Sequence, residues 1–254
     1  MTRVTLAARA LALVDLTDLT ENCTPAAIDA LCARAVGPFG STAAVCIWPA
    51  FVGQAARLLN GSGVAVATVV NFPGGGDGID ATVAETLSAL HDGADEIDLV
   101  LPYHAFLDGR PAIAAAMVAA IRAVVNHPHR LKVILETGSY PDQAHVAAAA
   151  KLAIEHGADF IKTSTGKTSV SATADAAETM LTAIRRSGRS VGLKPSGGIR
   201  TLDDAAIYLD LAARIIGPDW AAPSTFRFGA SGLLDALEAE LGADQAPAST
   251  DARY

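Results

Sequence analysis

Eight short apolar runs recur along the chain, and between them lie longer, alanine-rich stretches whose apolar positions return at helical spacing. The runs cover residues 13–16, 43–47, 64–70, 96–101, 131–136, 160–163, 191–194 and 226–229. Most are continuous rather than alternating, the pattern of parallel strands buried on both faces. The intervening stretches, among them 79–91, 111–125, 142–155, 174–186 and 202–213, are long enough for helices of about three turns. Eight such units in 254 residues predict an α/β fold, a single (β/α)8 TIM barrel spanning 1–241. From 242 to 254 the chain turns to Ala, Asp, Pro, Ser and Thr, which predicts a flexible C-terminal tail ending in Tyr254.

A short repeat fixes a register. Gly93-Ala-Asp-Glu-Ile-Asp98 and Gly157-Ala-Asp-Phe-Ile-Lys162 align without a gap, each opening a strand. Barrel layers are filled from alternate strands, so an inward Lys162 on the sixth strand implies an inward Asp98 on the fourth, in the same layer. The repeat also reads as one helix-to-strand turn used twice, which leaves the register intact.

Polar and charged residues mark the strand ends: Asp15, Asn71, Asp98, Glu136, Lys162, Lys194 and the Gly229-Ala-Ser231 turn. In barrel enzymes these ends converge on one mouth. Lys162 and Lys194 are the informative pair. A lysine at a strand end can simply snorkel into water, but burial and a neighbouring ammonium both disfavour the charged form, so two close lysines can leave one free to attack a carbonyl. A structural ion-pair network of Asp15, Asp98, Glu136, Lys162 and Lys194 is the competing reading. Glycine-rich turns follow the last three strands, and backbone N–H groups in such loops, with helix N-termini behind them, suit a phosphate.

Bulk properties narrow the partners. With 27 acidic and 19 basic residues the net charge is −8, which argues against a charge-driven nucleic-acid or membrane-surface role. No transmembrane run or signal-peptide pattern is evident, and Cys23, Cys32 and Cys46 form no CxxC pair, so a cytoplasmic protein is expected. The six histidines place no ligand pair at a strand end, and Gly74-Gly-Gly-Asp-Gly78 lacks the spacing of a dinucleotide loop.

The motifs Asp15-Leu-Thr17, Val45-Cys-Ile47, Ala67-Thr-Val-Val-Asn-Phe-Pro73, Gly93 to Asp98, Lys132-Val-Ile-Leu-Glu-Thr137, Gly157 to Lys167, Val191 to Thr201 and Arg227-Phe-Gly-Ala-Ser231 resemble, in order, those of the deoxyribose-phosphate aldolase family. The resemblance implies a class I aldolase that cleaves 2-deoxy-D-ribose 5-phosphate to acetaldehyde and glyceraldehyde 3-phosphate in deoxyribonucleoside catabolism, without metal or organic cofactor. It implies Lys162 as the Schiff-base lysine, Lys194 as its activating neighbour, Asp98 as proton relay and Asp15 as support. It further implies phosphate contacts from Gly166, Gly197, Gly198, Gly229 and Ser231, and a C-terminal tyrosine, Tyr254, that assists proton transfer. One departure is Gly232, where many relatives carry a second serine. Substrates would be small sugar phosphates and aldehydes; barrels of this kind often form homodimers. Two alternatives stay open: a Schiff-base aldolase for another sugar phosphate, and a sugar-phosphate-binding barrel without catalysis.

Overall fold

A computed structural model describes residues 2–243. The element order is α1 Arg3–Leu11, β1 Val14–Asp18, α2 Pro25–Ala35, β2 Ala44–Ile47, α3 Val52–Leu58, β3 Ala65–Val70, α4 Ile79–His91, β4 Glu96–Val100, α5 Tyr103–Leu107, α6 Pro111–Val124, β5 Arg130–Ile134, α7 Gln143–Glu155, β6 Phe160–Lys162, α8 Ala174–Ser187, β7 Gly192–Lys194, α9 Leu202–Ile215, β8 Phe228–Ala230 and α10 Leu233–Ala243. All eight expected strands are present. Each pairs in parallel with its sequence neighbour, β8 pairs β1, and bridges Leu193–Phe226 and Ser196–Gly229 close the seam between β7 and β8. The chain is a (β/α)8 TIM barrel. The residues expected to form the C-terminal tail lie outside the described residues, Tyr254 with them, apart from the end of α10.

Helix starts follow local chemistry. Thr24, Thr173 and Thr201 each accept from a first-turn backbone N–H of α2, α8 and α9, and Thr201 with Asp204 forms a reciprocal cap. Two helices escaped the sequence reading: α1, which packs outside the barrel on α9 and α10, and the single-turn α5. The main core lies between the outward strand faces and the helices, with residues such as Ile97, Val133, Met117 and Ala149 fully buried. Burial of that surface is the principal stabilising term.

The barrel interior is different. Strand registers, taken with a shift of one residue per strand, place the inward side chains in layers of four from alternate strands. The lowest holds Ala44, Glu96, Phe160 and Arg227; the middle holds Asp15, Ala67, Lys132 and Lys194; the upper holds Cys46, Asp98, Lys162 and Gly229. All twelve are buried. The expected shared layer of Asp98 and Lys162 follows from this register. Ala44, Cys46 and Ala67 form a small apolar sector with Leu19 and Val69. The opposite sector carries charge.

Phe160 is the large apolar plug beneath that charge, and its ring occupies the space that a side chain on Gly192 would need: a Cβ there would lie 2.3 Å from the ring. Gly192→Ala is therefore expected to destabilise the fold by about 1–3 kcal/mol through overpacking, read as a lower urea midpoint. Phe160→Leu in the same chain should recover part of the loss, whereas an unchanged midpoint for Gly192→Ala alone would contradict this packing.

Candidate active site

The upper two layers bring Asp15, Asp98, Lys162 and Lys194 together, as the sequence led one to expect. Lys162 and Lys194 both donate to Oδ2 of Asp98, at 2.9 and 2.7 Å, so the two amines share one oxygen and lie within electrostatic reach of each other. Neither points away to solvent: Lys194 is fully buried and Lys162 is 2% exposed. Lys194 also meets Oδ2 of Asp15 at 2.6 Å. The snorkelling alternative does not describe these side chains.

Three further members were not among the expected site residues. Lys132 binds Oδ1 of Asp98 at 2.8 Å and Oε2 of Glu96 at 2.6 Å, and Arg227 spans Oδ1 of Asp15 at 2.6 Å and Oε1 of Glu96 at 2.8 Å. A signal for them existed. Glu96 precedes Asp98 by two, and Lys132 stands inside an apolar strand, so the period-two alternation of strand faces points Glu96 inward with Asp98. Arg227 likewise precedes Gly229 by two.

Glu136, expected in this network, stands apart from it. β5 ends at Ile134, and Glu136 adopts a left-handed backbone, φ 59° and ψ 57°, which carries its carboxylate towards the β6 loop. There it accepts from the backbone N–H and hydroxyl of Thr165 and from the hydroxyl of Thr168. An outlier of this kind, costing on the order of 1 kcal/mol, tends to persist where a loop must be held in place. Here the loop held is the one that follows Lys162.

The charges shape one another. Burial alone would raise the carboxyl of Asp15, but Lys194, Arg227 and Lys132 outweigh it and hold the group below the usual carboxylate range. Asp98 is likewise buried yet held well below that range by Lys132, Lys162 and Lys194, and Glu96 by Lys132 and Arg227. For Lys194 burial works against the charged form, and Asp15 and Asp98 overcome it, so its ammonium is held above the ordinary lysine value. Lys132 is raised in the same way by Asp98 and Glu96. Burial keeps the Cys46 thiol, 3.9 Å from Oδ2 of Asp98, above its ordinary value.

At the mouth, Gly166, Gly197 and Gly198 have φ of 79°, 84° and 82°. Their N–H groups are not equivalent. Gly197 donates to the carbonyl of Gly229, and Gly229 donates to that of Pro195, so both N–H groups bind the β7–β8 seam. Gly229 is small for a reason: a Cβ there would lie 2.4 Å from Oγ of Ser196 and 3.1 Å from Cε of Lys194. Among the described residues, the N–H groups of Gly166 and Gly198 have no protein partner. Gly198 and Ser231 are exposed, ahead of the N-termini of α9 and α10, and Gly166 is exposed ahead of α8. Phosphate-like anions suit such N-termini.

The sign of the pH dependence follows. The carboxylates are lower in the fold than in the unfolded chain, where they titrate near about pH 4; their contribution is full above that pH and is lost as pH falls towards the folded values. Lys132 and Lys194 are higher in the fold, so their contribution is full below about pH 10.4 and is lost as pH rises. The urea midpoint should form a plateau between those limits and fall on both sides, and Asp98→Asn should lower it on the plateau by the equivalent of about 3–5 kcal/mol. A midpoint still rising through pH 11, or insensitive to Asp98→Asn, would contradict the pairing.

Comparison with known proteins agrees with this geometry. The model of the DeoC/LacD family aldolases matches residues 9–238. A deoxyribose-phosphate aldolase of Agrobacterium fabrum is 56% identical over 230 residues, covering 90% of this chain and 89% of the relative. Among solved structures, the apo form of a candidate deoxyribose-phosphate aldolase from Toxoplasma gondii superposes with a TM-score of 0.86 at 27% identity, covering 95% of this chain and 97% of that one. One from Coccidioides immitis gives 0.80 at 29% identity, covering 92% and 86%. With the lysine pair buried at the mouth of the same barrel, the chain belongs to the DeoC/LacD family of aldolases.

Proposed function

We propose that this protein is a Schiff-base aldolase that reversibly cleaves 2-deoxy-D-ribose 5-phosphate to acetaldehyde and D-glyceraldehyde 3-phosphate, with Lys162 as nucleophile. The observation that carries the proposal is the buried Asp98 carboxylate with three lysine amines on it. Asp15, Glu96 and Asp98 supply three negative charges; Lys132, Lys194 and Arg227 supply three positive ones. The interior is therefore neutral when the amine of Lys162 is unprotonated, and isolated buried charge is strongly disfavoured. A free amine is what nucleophilic attack requires.

In the reaction, Nζ of Lys162 attacks C1 of the open-chain sugar, and with one proton taken up from solvent the carbinolamine hydroxyl departs as water, leaving an iminium. The iminium draws the C2–C3 bonding pair towards itself as Asp98, through Lys194 and a water, takes the proton of the C3 hydroxyl. Glyceraldehyde 3-phosphate leaves, and an enamine remains. The positive charge lost at the nitrogen of Lys162 reappears as the proton taken up beside it, so the buried charge is the same before and after cleavage. Asp15 holds Lys194 from the other side. Protonation at C2 and hydrolysis then release acetaldehyde; Tyr254, assigned to that proton transfer by the family resemblance, lies outside the described residues.

The phosphate would sit against the loops after β6, β7 and β8, with Gly166, Gly198 and Ser231 facing it. Gly197 and Gly229 shape this pocket through the seam that their N–H groups hold. The same reading places the enzyme in the cytoplasm, in keeping with Cys23, Cys32 and Cys46 as free thiols and with the absence, among the described residues, of a helix long and apolar enough to cross a membrane. It includes a homodimer, which sedimentation would test.

Borohydride reduction in the presence of acetaldehyde should add an ethyl group to Lys162, located by peptide mass. Lys162→Arg should abolish turnover while the circular-dichroism spectrum is kept. An unmodified Lys162 in folded protein would instead favour a binding barrel without catalysis. A side chain on Gly232 meets nothing within 4 Å, so Gly232→Ser can add a hydroxyl donor without a clash. It should lower KM for the phosphorylated sugar about tenfold or more, the worth of one hydrogen bond to a charged group, and leave the unphosphorylated sugar unaffected. Equal effects on both sugars would place the phosphate elsewhere.

A further inference from the structure

We propose that Arg227 and Glu96, on the floor of the barrel and two layers beneath Lys162, are positioning residues that set the charge balance on which the reactive amine depends. This rests on the reading of Lys162 as nucleophile. Neither residue lies in the layer of the reacting nitrogen, so their action runs through Asp15 and Lys132.

The contacts are built for transmission. Arg227 gives Nη1 to Asp15 and Nη2 to Glu96, donates Nε to the carbonyl of Pro223, and lies over the ring of Phe160 at 5.7 Å from its centroid. The fork is thus immobilised on three sides. With Oδ1 of Asp15 taken by Arg227, Oδ2 faces Lys194 at 2.6 Å and Lys132 at 3.5 Å. Glu96 accepts from Arg227 at both oxygens, Nη2 on Oε1 at 2.8 Å and Nη1 on Oε2 at 3.2 Å, and its Oε2 also meets Lys132, which passes on to Asp98. Two chains therefore lead from the floor to the oxygen that Lys162 and Lys194 share. A barrel held only for stability would do as well or better with an apolar floor of the same volume.

The groups facing this path can be followed around the barrel. β1 contributes Asp15, β2 Cys46, and β4 Glu96 and Asp98; β3 presents Ala67 and no charge. β5 contributes Lys132 and, at the outer edge, Arg130, 3.8 Å from Glu96 and one-third exposed. β6 and β7 contribute Lys162 and Lys194. Removal of the Arg227 charge leaves this set one positive charge short, and a proton is drawn in at the expense of the free amine.

The test is the pH dependence of acetaldehyde trapping by borohydride on Lys162, per mole of folded protein. Arg227→Met should slow trapping at neutral pH about tenfold and move the acid limb upward by about one unit, the Coulomb effect of one charge at ~10 Å in a medium of effective dielectric constant ~20. Glu96→Gln alone should move the limb the other way. The double variant, again balanced, should return it to the wild-type position, a recovery that lost packing cannot produce. Arg227→Lys should keep the limb and lose only rate. Limbs unmoved in both single variants, with stability alone reduced, would overturn the proposal. Absence of trapping in the wild type would instead overturn the reading of Lys162 beneath it.

Discussion

One carboxylate with three amines on it is the constraint around which this barrel is organised. Asp98 is fully buried and touches Lys132, Lys162 and Lys194. Ions in such a place cost several kcal/mol each unless they are paired and hydrogen-bonded, so the surrounding layers have to provide Asp15, Glu96 and Arg227 as well. Space for them comes from the opposite sector, where Ala44, Cys46 and Ala67 are small. Gly229 lets Lys194 pass, and Gly192 leaves room for the Phe160 ring.

That arrangement links stability to chemistry. The main core between strands and helices is apolar and holds the fold; the interior network is held by that shell and adds a fixed electrostatic field. Groups fixed in advance need no reorganisation when charge moves during a reaction. A carboxylate that already accepts from Lys194 can receive a proton as the neighbouring iminium loses its charge, without any group changing place. Glu136 adds a second kind of rigidity, because its left-handed backbone carries the side chain to the β6 loop and fixes Thr165 beside Gly166.

Much of this was legible in the sequence. The eight apolar runs gave the strands, and the repeated Gly-Ala-Asp turn gave the common level of Asp98 and Lys162. What escaped had physical reasons. Glu96 and Lys132 lie inside their strands, so a pattern of polar strand ends does not mark them, although the alternation that faces Asp98 inward also faces Glu96 inward. The apolar run through 131–136 reads as one strand with Glu136 at its end, whereas β5 stops at Ile134 and the backbone turns left-handed at Glu136. The seam between β7 and β8 uses the N–H groups of Gly197 and Gly229. No local pattern reveals that, because a glycine-rich turn reads the same whether its N–H groups face a ligand or a neighbouring strand.

The central claim is a count of protons on three buried amines, and neutron diffraction from deuterated crystals at neutral pH reads that count directly. The account predicts three deuterons on Nζ of Lys132 and of Lys194 and two on Nζ of Lys162. Three deuterons on each, with every carboxylate bare, would contradict it.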